Sequence, residues 1–201
     1  MIKSIIFDLG GVYFTDGTKE AVEKISEKYC LNSKELAKFF GTKSEIGKLY
    51  RQGKITSKKF WEEFEKMFNL RIDKEELTKL WISFYKPIEG TINLIKKLRK
   101  NGIKIYFLSD NVKERSMYLQ NKFNFLEYFD DGVFSHEVGL TKSDGAEVFK
   151  IALQKTRNKP NEVIFIDDKE DYVNTAGMLG INEIHFKNSK QLEREIKKLI
   201  D

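Results

Sequence analysis

One cysteine, two histidines and no long apolar run put several chemistries out of reach. Cys30 alone closes no intramolecular disulfide and builds no cysteine-rich zinc cage. A reducing, cytoplasmic setting is therefore expected. Cys30 itself precedes a leucine and reads as a packing residue. His136 and His185 form no metal-ligand pattern and read as ordinary strand or loop residues. No stretch approaches the ~18–20 apolar residues of a membrane helix. The opening MIKSIIFDLGG meets an acid too early to read as a signal peptide. A GxSxG elbow, a P-loop and a dinucleotide fingerprint are all missing, and so are internal repeats and low-complexity tracts.

What is present suffices for a packed core. The 201 residues are 40% hydrophobic and 33% charged, enough for one domain, or one carrying a smaller insert. The 36 basic residues against 31 acidic ones give +5, spread over many lysines. That balance favours anionic ligands in general. No basic and aromatic module accompanies it, so neither nucleic acid nor membrane is the expected partner.

Residues 3–8, 103–108 and 163–166 are short apolar runs that each end in polar residues, and weaker strands are expected near 132–135 and 183–186. Helical faces separate them: Ile92, Ile95 and Leu98; Ala146, Phe149, Ala152 and Leu153; Leu192, Ile196 and Leu199. The alternation predicts an α/β fold with a doubly wound, Rossmann-like parallel sheet covered on both faces. Residues 15–88 break it. They show helical periodicity only, with stripes at Phe60, Trp61, Phe64, Met67 and Phe68 and at Leu77, Leu80, Trp81 and Phe84, and a capping box at Asp73 and Glu76. An all-α domain inserted over 15–88 into an α/β core of 1–14 and 89–201 follows, with Pro87 and Gly90 marking the return to the sheet.

Ligands bind outside the carboxyl ends of strands in such sheets, which singles out Asp8, Ser109 and the Asp167-Asp168 pair. A carboxylate closing a buried strand is costly unless paired, metal-bound or reactive; Asp8 is one of these, or an acid capping the next turn. Adjacent acids raise each other's proton affinity unless a cation lies between them. Asp167 and Asp168 thus hold a hard cation, most simply Mg²⁺, or bond an amide and face solvent. Ser109 and the Asp110 amide offer donors to an anion, or Ser109 caps the helix that starts near Val112. Lys142 lies in a loop before a helix, where lysines are ordinarily solvated.

Together these segments resemble the haloacid dehalogenase-like hydrolase superfamily. FDLGGV (7–12) is similar to its first motif, FLSDN (107–111) to the second, VGLTKSD (138–144) to the third and FIDDKEDYV (165–173) to the fourth. YFDDGVFSHEVGL (128–140) is similar to phosphatase-like members. The resemblance implies a helical cap between motifs one and two. It implies a Mg²⁺-dependent phosphatase for a small phosphorylated metabolite, in which Asp8 is the nucleophile and forms an aspartyl-phosphate. Ser109 and Asp110 would hold phosphate oxygens, and Lys142 would neutralise charge. Asp8, Asp168, Asp167 and the Gly10 carbonyl would surround the metal.

Three positions depart from that pattern. Gly10 stands where most such phosphatases carry a second Asp, which protonates the leaving group. Ser143 stands where prolines are usual, and Tyr172 where Asn or Asp is common. Asp16 is near, but its spacing does not match the missing acid. Two other readings follow: a weakly active or inactive relative that binds a phosphorylated ligand or partner, and a metal-independent 2-haloacid dehalogenase in which Asp8 attacks carbon.

Overall fold

The computed structural model describes residues 1–200. Strand β1 (Ser4–Phe7) is followed by five helices: α1 (Gly17–Tyr29), α2 (Ser33–Phe40), α3 (Glu45–Arg51), α4 (Ser57–Phe68) and α5 (Lys74–Ile82). Then come α6 (Glu89–Lys100), β2 (Lys104–Ser109), α7 (Lys113–Phe123), β3 (Asp131–Phe134) and the short α8 (Ser135–Val138). The chain closes with α9 (Glu147–Thr156), β4 (Val163–Asp167), α10 (Glu170–Gly177), β5 (Asn182–His185) and α11 (Ser189–Ile200).

The five strands form one parallel sheet in the order β3-β2-β1-β4-β5. Alternation along each strand splits the core between its faces. Ile5, Phe7, Ile105, Ile164 and Ile166 pack with Ile92, Ile95 and Leu192 on one side. Ile6, Leu108 and Phe165 pack with Phe149, Ala152 and Ala176 on the other. The order places β1 at the centre. Phe7 pairs with Phe107 on one flank and Ile166 on the other. That register sets Asp8 level with Asp167, one residue beyond the Phe7–Ile166 pair.

Helices α1 to α5 enclose a separate aromatic cluster of Phe39, Phe40, Tyr50, Phe60, Trp61, Phe64 and Trp81. Phe60 lies nearly parallel to Trp81, with ring centroids 5.4 Å apart and planes inclined by 15°. Each of these helices starts on a short polar side chain that accepts an orphan amide: Asp16, Asn32, Ser44, Thr56 and Asp73. Two paired link segments join this bundle to the sheet. Thr15 donates its amide to Lys86 at 2.9 Å, and Ile88 donates to Tyr13 at 2.8 Å.

Several sequence expectations need correction. Met67 is 54% exposed and Leu199 39%, so both leave their stripes: aromatic crowding fills the α4 face, and α11 needs only Leu192 and Ile196. Asp73 caps α5 through the amides of Glu75 and Glu76, but Glu76 turns away to pair with Lys28, so only half of the capping box is present. Cys30 does not pack; it is exposed, in a left-handed conformation that ends α1.

Truncating Phe60 removes a fully buried ring from the aromatic cluster. Phe60→Ala should lose about 3–5 kcal/mol in urea unfolding, and Met67→Ala should stay within about 0.5 kcal/mol of the wild type. Equal losses would contradict the assignment of these two faces.

Candidate active site

The carboxyl edge of the sheet opens into a cavity of about 490 Å³, lined by Asp8, Gly10, Ser109, Asp110, Lys142 and Asp168 from the sheet side and by Phe40 and Arg51 from the helical insert. The acids and Ser109 arrive at strand ends, and Lys142 arrives on a loop. Asp8 follows β1 and holds its place by donating its amide to Ile166 at 2.8 Å. Ser109 ends β2, and Asp167 ends β4. Separated by up to 159 positions in sequence, they become neighbours because β2, β1 and β4 are adjacent.

Lys142 is not solvated. It is buried, with its ammonium 2.9 Å from Asp8 Oδ1 and 2.5 Å from Asp167 Oδ2. The Tyr172 ring lies 5.0 Å from the same nitrogen, so the aromatic residue that departs from motif four gives the cation an additional face. The lysine's backbone is fixed as well. Its amide donates to both oxygens of the Asp110 carboxylate, at 3.0 and 3.2 Å.

The loop around Lys142 is braced by polar contacts where a proline was expected. Asp144 accepts from the Thr141 amide and hydroxyl, both at 2.8 Å, and the Thr141 and Ser143 hydroxyls share a hydrogen bond at 2.9 Å. From α3 and its end, Lys48 pairs with Asp144 and Gln52 donates to it at 2.5 Å. Partial burial pushes the Asp144 carboxyl up, but Lys48, Thr141 and Gln52 outweigh it and hold the group well below the ordinary carboxylate range.

The charges do not balance. Asp8, Asp167 and Asp168 place carboxylate oxygens within 4.8 Å of one another. Burial, then Asp167 and Asp168, push Asp8 up to about 8 against the pull of Lys142. Burial and Asp167 also raise Asp168. Burial would lower the Lys142 ammonium, but Asp167, Asp8 and Asp110 outweigh it and hold it above the usual lysine range. All three shifts have one sense: the cluster lacks positive charge.

The carboxylate oxygens divide the work. Asp167 uses both of its own, one on Lys142 and the other accepting the Lys169 amide at 2.9 Å. Asp168 Oδ1 is buried with no partner. An orphaned carboxylate oxygen beside Asp8 in an all-oxygen cluster suits a hard divalent cation.

Two glycines follow Asp8, and they differ. Gly11 has φ +90°, and a Cβ there would come within 2.6 Å of the Asp168 carboxyl carbon. Gly10 has no such φ, and a Cβ there would meet nothing within 4 Å. The unusual backbone therefore sits one residue later than the position that lacks an acid.

Other polar residues take places that their local sequence does not reveal. Ser109 is not the cap of α7; Val112 holds that position, and the Asn111 side chain accepts the Val112 amide at 3.0 Å. Ser109 instead lines the cavity. Asp16 caps α1 and also reaches the cavity wall. His185 contacts the Asp168 carbonyl through Nε2 at 3.0 Å, and His136 contacts the Asn111 carbonyl through Nδ1 at 3.1 Å. Sequence reasoning missed Arg51, Tyr85 and Arg115, which also line the cavity. They stand in helical or linking segments where no motif marks them.

Among the described residues no helix is long and apolar enough to cross a membrane. A family model described as haloacid dehalogenase-like hydrolase matches residues 2–175. The chain is similar to a D-ribitol-5-phosphate phosphatase of Bacteroides thetaiotaomicron, at 24% identity over 98% of this chain and 97% of that protein. It is similar to a glyceraldehyde 3-phosphate phosphatase of Methanocaldococcus jannaschii, at 22% identity over 97% and 89%. Among solved structures, a magnesium complex of a family enzyme from Bacteroides thetaiotaomicron superposes with a TM-score of 0.76, at 25% identity, over 93% of this chain and 94% of that one.

The glycine pair gives a direct test. Gly11→Ala should cost about 1–2 kcal/mol from its left-handed backbone. It should also blunt any rise in melting temperature on adding Mg²⁺, because the new methyl group displaces Asp168. Gly10→Ala should change stability by no more than about 0.5 kcal/mol and keep the Mg²⁺ response. The reverse order would contradict the geometry.

Proposed function

The chain belongs to the haloacid dehalogenase-like hydrolase family, and we propose that it is a Mg²⁺-dependent phosphatase that hydrolyses a small phosphorylated metabolite through an aspartyl-phosphate on Asp8. The observation that carries this reading is the trio of Asp8, Lys142 and the orphaned Asp168 oxygen at one cavity floor. The phosphatase relatives and the magnesium-bound neighbour support it.

Asp8, Asp168 and the Gly10 carbonyl would hold the metal, with Asp167 steadying Lys142 beside them. Bound there, Mg²⁺ supplies positive charge that lets an anionic nucleophile approach an anionic phosphate. Ser109 and the Asp110 amide receive phosphate oxygens. An Asp8 carboxylate oxygen forms a bond to phosphorus as the ester P–O bond breaks, and the leaving oxygen takes the bond's electron pair and then a proton from water. Lys142 stabilises the charge shared between Asp8 and the phosphoryl oxygens. Water then bonds to phosphorus as the Asp8 O–P bond breaks; it gives up a proton to solvent, inorganic phosphate leaves and the Asp8 carboxylate is restored.

The helical insert contributes Phe40 and Arg51 to the cavity wall. In this reading it acts as a cap that excludes water and selects the leaving group. The single cysteine supports a cytoplasmic setting. A metal-free dehalogenase does not need three crowded carboxylates, which disfavours that alternative.

A phosphate-ester panel with Mg²⁺ and with chelator tests the reading. Turnover should require the metal, and Asp8→Asn should fall to background while the variant stays folded. Halide release in chelator, or full turnover by Asp8→Asn, would overturn it.

Gly10 leaves the departing alcohol without an acid at the usual place. Gly10→Asp should raise kcat/KM on alkyl phosphates by ~10²-fold and leave p-nitrophenyl phosphate nearly unchanged, because phenolate departs without a proton. A Cβ at Gly10 would meet nothing within 4 Å, so the first atom of the new side chain has room. A folded variant with no gain on alkyl phosphates would show that the proton comes from elsewhere.

A further inference from the structure

Arg115 is a buried cation that the chemistry above does not use. It lies in the first turn of α7, 5% exposed, and lines the same cavity as Asp8 and Lys142. Its guanidinium carbon is 4.8 Å from the ring centres of both Trp81 and Tyr85. Nη1 donates to the Tyr85 hydroxyl, which shares a second hydrogen bond with Thr18 at 2.7 Å. Nε and Nη2 are buried with no partner.

Arg51, 4% exposed, is a second buried arginine in this wall. It donates to the carbonyls of Gly47 and Phe40, at 3.1 and 2.7 Å, and so is held rigidly by the insert. Among the described residues neither arginine forms an ion pair with a carboxylate, although fifteen such pairs occur elsewhere. Burial, and then Arg115, lower Arg51 to about 10. Two buried guanidinium groups that repel each other, Arg115 with two donors unpartnered, are costly. An anion entering the cavity relieves that cost, and the planar fork of arginine matches carboxylate and phosphate oxygens. The aromatic rings on Arg115 fix its plane in advance.

We propose that Arg115, assisted by Arg51, forms a second anion subsite, so that the substrate is a small phosphate ester with a carboxylate or second phosphate on its leaving-group side. The placement of the first phosphate rests on the phosphatase reading above. The neutral polyol and aldehyde phosphates in the relatives' names carry no such group, so this chain differs from them in substrate charge.

Three non-hydrolysable probes of equal carbon length test this by calorimetry in the presence of Mg²⁺: propylphosphonate, 3-phosphonopropionate and propane-1,3-bisphosphonate. At least one of the two probes with a second anionic group should bind ~10–100-fold tighter than propylphosphonate, and which of the two wins identifies the second anion. Arg115→Gln should shrink that advantage to a few-fold. Equal binding of all three by the wild type would overturn the subsite, with no variant required. An advantage that survives in folded Arg115→Gln would overturn the role of Arg115. If that variant does not fold, Tyr85→Phe, which removes only the hydroxyl orienting Nη1, should weaken the preference; an unchanged preference would count against Arg115. Preferential binding without turnover of any ester would leave the subsite standing and defeat the phosphatase reading. Turnover of esters with equal probe binding would do the opposite.

Discussion

The ammonium of Lys142, buried between Asp8 and Asp167, is the contact on which the rest of the site depends. Parallel pairing of β1 with β4 brings two carboxylates level at the sheet's edge, and they would repel without a cation between them. One lysine offsets part of that charge. A third carboxylate, Asp168, leaves the cluster negative again and supplies a free oxygen for a metal. The site is therefore stable enough to form, yet still short of positive charge, which is the condition a phosphate-processing centre with a divalent cation requires.

Lys142 belongs to a loop, and a loop must be held for its charge to have a fixed place. Asp110 grips its amide from the end of β2, and Asp144 ties the following turn to Lys48 and Gln52 of the insert. The helical bundle is thus fastened to the loop that carries the cation as well as to the linking segments near Thr15 and Ile88. The position of the bundle and the position of Lys142 are mechanically joined through these hydrogen bonds.

Much of the sheet was legible because buried parallel strands have an unmistakable form, a short apolar run that ends abruptly in polar residues. Asp8, Ser109 and Asp167 stand at such ends, and the structure brings them together. Periodicity was weaker where neighbours compete for burial. Met67 and Leu199 fit their stripes but lie outside, because the cores were already filled by larger or better placed side chains. Lys142 was legible only through its motif, since nothing local distinguishes a buried lysine from a solvated one. Arg51 and Arg115 left no signal at all. Their importance comes from what does not stand beside them, and a missing counter-ion is a property of three-dimensional surroundings. Nor does the sequence tell the two glycines after Asp8 apart; the structure gives the positive φ to Gly11 and not to Gly10.

The central claim is that Asp8 takes the phosphoryl group. Rapid acid quench of a single turnover with Mg²⁺, followed by peptide mass spectrometry, tests it most directly. The expected result is a transient gain of one phosphoryl mass on the peptide containing Asp8, which disappears as inorganic phosphate is released. Phosphate release with no adduct at any time, or an adduct on another residue, would contradict it.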